Sequence, residues 1–296
     1  MVRFLSYVFL FLLMATAGGC GGGGGGSALD PQVLAEGIST EEVLPEDQGS
    51  GDRNLIPPNF VVVVPGPGSG GQGADWVMWP ESLATHVLDA NNLYAHSDQA
   101  LSWPANGVGI YSSRADCSGY VTRSLLKAFD LTTDNMKAWM GSTGPSSARY
   151  HDNIVFKNNF QQIEIASDIR RGDIVAIKYL DKTSGGTGHT MIAASAPVLR
   201  TTPTKPLIAG TNQFELRIID STSSPHGTGD TRKGTAADGS DQNGAGLGTM
   251  RIYADATSGL ITGYTWSLST GSSYYTANSP AEDRRSLVVG RMTFAD

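Results

Sequence analysis

Cys117 opens a run in which Val121, Leu125, Ala128 and Phe129 recur at helical spacing, and Asp116 directly before it is a preferred helix N-cap. The spacing predicts a helix that begins at or beside the cysteine. At that place the unpaired backbone N–H groups and the positive end of the helix favour a thiolate over a thiol, and they can bind an oxyanion. Gly119 leaves room in the first turn for close approach of another backbone or a substrate. Such a sulfur suits covalent catalysis, which also needs a base within reach. Five histidines are available: His86, His96, His151, His189 and His226. Of these, His189 opens the apolar stretch Thr190 to Ala194, which follows a turn-rich segment of Ser184, Gly185, Gly186, Thr187 and Gly188.

Two stretches carry a resemblance to a known family. Asp116-Cys117-Ser118-Gly119, heading an apolar helix, resembles the nucleophile motif of the NlpC-type cell-wall peptidases, papain-like enzymes that cut the peptide stems of peptidoglycan. Downstream, Arg171-Gly172-Asp173 opens the apolar run Ile174 to Ile177, and Gly188-His189 opens the next, in the family's order. The resemblance implies that Cys117 is the nucleophile and His189 its base, with no cofactor. It places an orienting group near the end of the following strand, Phe214 to Ile219, where Asp220 is the choice and His226 and Asn212 are its rivals. It implies that Asp116 and Ser118 bind the substrate's free amino group. The family carries a Tyr-x-Trp-Gly-Gly stretch a dozen or so residues before the cysteine; here Trp103 occupies that distance and Tyr111 lies closer, so both are expected in a rebuilt amine pocket. The implied reaction is hydrolysis of an amide bond, in peptidoglycan stem peptides, through a Cys-His-Asp triad and an acyl-enzyme. A non-catalytic envelope-binding module, or an amidase or acyltransferase with another substrate, would share the same fold.

The elements that position these residues follow from periodicity. Trp79 to Ala100 is expected to form one or two helices that pack before the cysteine helix. Pro197, Pro203, Lys205 and Pro206 mark an inserted loop between the His189 strand and the Asp220 strand. Residues 221–248 are rich in Gly, Asp and Ser and read as a polar loop on the rim of the cleft. Asp238, Ser240, Asp241 and Asn243 lack the spacing and the closing Glu of a calcium loop, so no metal is expected. Met250 to Ala254 and Leu260 to Leu268 flank a turn as a hairpin, and Leu287 to Phe294 forms a last strand. The fold class is α+β: a helix carrying the cysteine, packed on an antiparallel sheet carrying the histidine, which the resemblance makes papain-like.

The first residues, Met1-Val2-Arg3 and then an apolar run from Phe4 to Met14, read as an export signal too short to span a bilayer. The run closes on Ala15, Thr16, Ala17, Gly18, Gly19 and Cys20, which resembles the lipobox of bacterial lipoproteins. That resemblance implies a signal peptide at 1–19, acylation of Cys20 and a lipid-anchored protein of the cell envelope; Gly21 implies the outer membrane, facing the periplasm, in a double-membraned source. Residues 20–58, with six consecutive glycines and many acidic and polar residues, are expected to be a flexible tether, and 59–296 to form the hydrolase domain. The chain has only two cysteines. With Cys20 given to lipid, Cys117 has no disulfide partner, and an unpaired thiol in an oxidising compartment points to chemistry. The net charge of −7 and the absence of a Lys/Arg cluster argue against nucleic acid as a partner, and the chain is expected to act as a monomer.

Overall fold

A computed structural model describes residues 75–105, 108–182, 186–236, 238–279 and 284–293. The signal peptide, Cys20, the tether and the start of the domain therefore lie outside the described residues. Helix α1 (Met78–His86) is followed by three short strands, β1 (Asn92–Leu93), β2 (Ala100–Ser102) and β3 (Ser112–Arg114), in a small sheet of their own. Helices α2 (Cys117–Phe129), α3 (Thr133–Met140) and α4 (Ser147–Val155) come next. Strands β4 (Phe160–Ile163), β5 (Ile174–Tyr179), β6 (Gly188–Ala193), β7 (Val198–Leu199) and β8 (Thr211–Thr222) then enter the main sheet. It is completed by β9 (Gly244–Asp255), β10 (Ile261–Thr265), β11 (Tyr274–Thr276), β12 (Asn278–Ser279) and β13 (Arg285–Met292).

The fold is α+β with an antiparallel sheet ordered β11-β10-β9-β8-β6-β5-β13-β12. The sheet curls until its ends meet. Ala277, between β11 and β12, donates its N–H to Thr262 on the β10 side and accepts from Leu287 on the β13 side, at 2.9 and 2.8 Å. One face of the curl encloses Val175, Ile177, Met191, Ala193, Leu216, Ile218, Met250, Ile252, Leu287 and Val289. The other face, with Ile174, Ala176, Ile192, Ile219 and Val288, packs against the helices. The period of two sends alternate residues to the two cores, so β5 is apolar almost throughout.

Helix α2 buries Tyr120, Val121 and Leu125 completely against β6 and β8, and Asp116 caps it by accepting from Gly119 N at 2.6 Å. Helix α4 is laid on β5, β6 and β13 by Tyr150 and Ile154. Two expectations need correction. The segment from Trp79 to Ala100 holds helix α1 and a short 3-10 helix at Asp89–Asn91, but beyond them Leu93 pairs with Arg114 as a short strand. Strand β9 begins at Gly244, inside the stretch expected to be loop; 221–243 is largely exposed, as expected of a rim, but Ser221, His226, Asp230 and Arg232 are buried. Strand β8 ends in Asp220, Ser221 and Thr222, the place expected for the orienting group. Among the described residues no helix is long and apolar enough to cross a membrane.

Candidate active site

Cys117 is the first residue of α2 and is 4% exposed. His189 is the second residue of β6, and the fit there is tight: a Cβ on Gly188 would lie 1.9 Å from the Ile177 carbonyl oxygen. Only glycine lets β6 start this close to β5. His189 shares its face of the strand with Met191, so it belongs to the inside of the curled sheet, whereas Cys117 comes from the helix layer. The two meet at the strand's end. His189 Nε2 donates to Asp220 Oδ2 at 2.7 Å, leaving Nδ1 for the hydrogen bond with Cys117. Burial opposes a charged ring there, but the Cys117 negative charge and the Asp220 carboxylate outweigh it, and the imidazolium is held up to about 10.

Asp220 is fully buried, yet burial is overcome by its neighbours and its carboxyl lies well below the usual carboxylate range. Arg232 Nη2 donates to Oδ1 at 2.9 Å, and His226 Nε2 donates to Oδ2 at 2.8 Å beside His189. His226 Nδ1 meets the Trp266 carbonyl at 2.8 Å. A carbonyl and a carboxylate only accept, so each His226 nitrogen faces an acceptor. Arg232 also donates Nε and Nη2 to Asp230, at 2.8 and 2.6 Å. Two buried carboxylates, Asp220 and Asp230, thus share the Arg232 guanidinium. Trp266 covers the cluster, its ring edge-on to His189 at 5.4 Å.

The segment that supplies His226, Asp230 and Arg232 can reach Asp220 because β9 is bare on that side. A Cβ on Gly246 would lie 2.6 Å from Arg232 Nε, and one on Gly248 would lie 2.7 Å from Asp230 Oδ2. His189, Asp220 and His226 also form, among the described residues, the one group of three whose metal-ligating atoms lie within 4.8 Å of one another. Both imidazole nitrogens already donate protons to the carboxylate, however, and Arg232 occupies its other oxygen, so an ion would have to displace two protons beside a fixed positive charge.

On the far side of Cys117, Asp116 accepts from Ser118 Oγ at 3.2 Å and meets His96 Nδ1 at 3.2 Å. Tyr94 stands edge-on to His96, and burial, with the charges of Cys117 and Asp116, raises its hydroxyl pKa well above the usual value. Tyr94 therefore belongs to this pocket. The expectation for Tyr111 and Trp103 is corrected: Tyr111 stacks on His86, and Trp103 donates Nε1 to the Trp79 carbonyl at 2.8 Å, so both rings pack around α1. Asn212 pairs with Ala254 at the opposite end of β8 from Asp220. The sequence signal for Tyr94 is its place two residues before His96, on a segment that pairs with the strand leading into Asp116. The close approach that Gly119 permits is by Gln99, whose Oε1 would be 1.8 Å from an added Cβ.

No family model matches the chain, and no solved structure matches it. A protein of Acanthamoeba polyphaga mimivirus, described as "Uncharacterized protein R653", is 32% identical to it over 225 residues, spanning 73% of this chain and 95% of the viral protein.

Proposed function

This chain belongs to one family with the mimivirus protein, so its activity has to be argued from its own residues, and we propose that it is a cysteine hydrolase of amide bonds acting through Cys117, His189 and Asp220. One observation carries this reading: a thiol at a helix N-terminus meets one nitrogen of an imidazole whose other nitrogen is bound, at 2.7 Å, to a buried carboxylate. The Cys117 thiolate adds to the amide carbonyl, and the N–H groups at the start of α2 hold the oxyanion. As the C–N bond breaks, His189 gives its proton to the leaving amine. Water, losing a proton to His189, then attacks the thioester; the acid departs and the thiolate with its imidazolium is restored.

Asp116, Ser118 and Tyr94 beside the sulfur support a substrate whose amino end is free, since a carboxylate and a phenol oxygen can both accept from an ammonium. Together with the NlpC-like motifs, they favour a papain-like peptidase acting on peptidoglycan stem peptides at the cell envelope. The leader supports lipid anchoring at Cys20. The test is to incubate the protein with purified peptidoglycan, and with short peptides bearing a free or acetylated amino terminus, and to identify fragments by mass. Cleavage of free-amine substrates that disappears in Cys117→Ala is the expected result. Cleavage of both peptide forms would remove the amine pocket from the reading, and no cleavage of any amide, with a Cys117 inert to iodoacetamide, would overturn the hydrolase.

A further inference from the structure

Helix α4 starts from Ser146, whose Oγ accepts from Arg149 N at 3.4 Å as its N-cap. The next residue, Ser147, is 3% exposed and sits where α4 crosses β6. Its Oγ is 3.4 Å from Cys117 Sγ and 2.9 Å from Thr190 Oγ1, which donates to it from a fully buried position. A hydroxyl has one proton to give. Thr190 fills one lone pair of Ser147, whose own proton is then free to point at the sulfur when Cys117 is a thiolate, a form that can only accept. The start of α4 adds the positive end of a nine-residue helix on the same side.

We propose that Ser147 is a further residue of the site, a hydroxyl donor that holds Cys117 as its thiolate, and that Thr190 is a positioning residue that fixes the direction of that donation. The inference rests on Cys117 being the nucleophile. The sulfur then has donors from two directions, His189 from the sheet and Ser147 from α4, above the N–H groups of its own helix. A hydrogen bond to the charged form favours that form. Once the sulfur is acylated it carries no charge, so the donation from Ser147 weakens and the thiolate is the species it selects. The other charged or titratable groups near the sulfur are His189 and Asp220 on the sheet, Asp116 at the head of α2, and Tyr94. None of them is altered by the substitutions below.

The experiment measures iodoacetamide alkylation of Cys117 in the full chain from pH 4 to 9, with the site followed by peptide mapping so that Cys20 does not contribute. Ser147→Ala is expected to move the rate profile to higher pH by about one unit while leaving the plateau rate at or above that of the unaltered protein. Thr190→Val should move it in the same direction by less, and Ser147→Thr, which keeps the hydroxyl, should recover most of the shift. Ser146→Ala is the control for packing: it loosens α4 without touching the sulfur, and should lower the melting temperature with no shift of the profile. A Ser147→Ala profile that superimposes on the original, or an equal shift in Ser146→Ala, overturns the inference while leaving the nucleophile intact. If Cys117 of the unaltered folded protein resists alkylation throughout, the nucleophile reading itself fails.

Discussion

Asp220 is a carboxylate with three donors on two oxygens, and its role can be separated from that of His226 by what each touches. Asp220→Ala should lower turnover by about a hundredfold or more with little change in KM, because the orientation of His189 matters most in the transition state. Asp220→Asn should recover part of that, since an amide oxygen still accepts. His226→Ala, one bond further out, should give a smaller loss of roughly tenfold; a larger loss than for Asp220→Ala would exchange the two roles. The pH dependence follows from signs. His189 is raised from 6.5 to about 10, so its stabilising contribution is full below pH 6.5 and is lost as pH rises through about 10. Asp220 is depressed below 3.8, so its contribution is full above that pH and is lost as acid passes through its lowered value. Turnover should therefore fall through about pH 10, where the proton for the leaving amine is lost, whereas alkylation of Cys117 should persist there. Cys117, His189 and Asp220 could be picked out in the sequence because each heads or closes an apolar run at a place that the NlpC-like motifs imply. Ser147 could not, since its importance comes from a contact between α4 and β6 that no local pattern records.

The glycines of β9 show why an element can be misread. Glycine weakens strand propensity, so Gly244, Gly246 and Gly248 make the segment resemble a loop. The spacing of two is the better signal: Gly246 and Gly248 line one face of a strand whose other face carries Ala245 and Leu247 in the helix-side core. That bare face receives Arg232, Asp230 and His226, so these two glycines are a sequence-visible imprint of the side chains laid over them, whereas Gly244 lies against Asn92. Gly246→Ala should destabilise the fold by about 1–3 kcal/mol through overpacking against Arg232, and should lower turnover by displacing the guanidinium from Asp220. Gly229→Ala, where an added Cβ meets nothing within 4 Å, is the comparison, read by thermal melting and turnover together. Equal effects of the two would mean that the bare face of β9 does not matter. The helix and strands around Cys117 and His189 were placed by apolar spacing, but the strand at Leu93 was hidden, because two residues show no period.

At the scale of the whole molecule, Cys117 and His189 come from different layers, helix and sheet, and meet at the start of β6. The α+β class was visible as strands following a helix, but the closure was not, because it depends on Ala277 bridging β10 and β13, which stand near opposite ends of the sheet order. Strand β13 lies late in the sequence yet sits inside the sheet, bonded to β5 on one side and to β4 and β12 on the other. A chain ending at Arg284 should therefore expose the edge of β5, lose alkylation of Cys117 at neutral pH and aggregate, measured by light scattering and peptide mapping. A soluble, alkylated truncation would show that β13 is dispensable. During synthesis the same arrangement sets an order of events. The segment bearing Cys117 leaves the ribosome long before β13 does, and until that strand arrives the unpaired edge of β5 is open to whatever chain lies nearest. The growing polypeptide is thus open to mispairing until β13 is made, and only then does Cys117 stand in its finished surroundings.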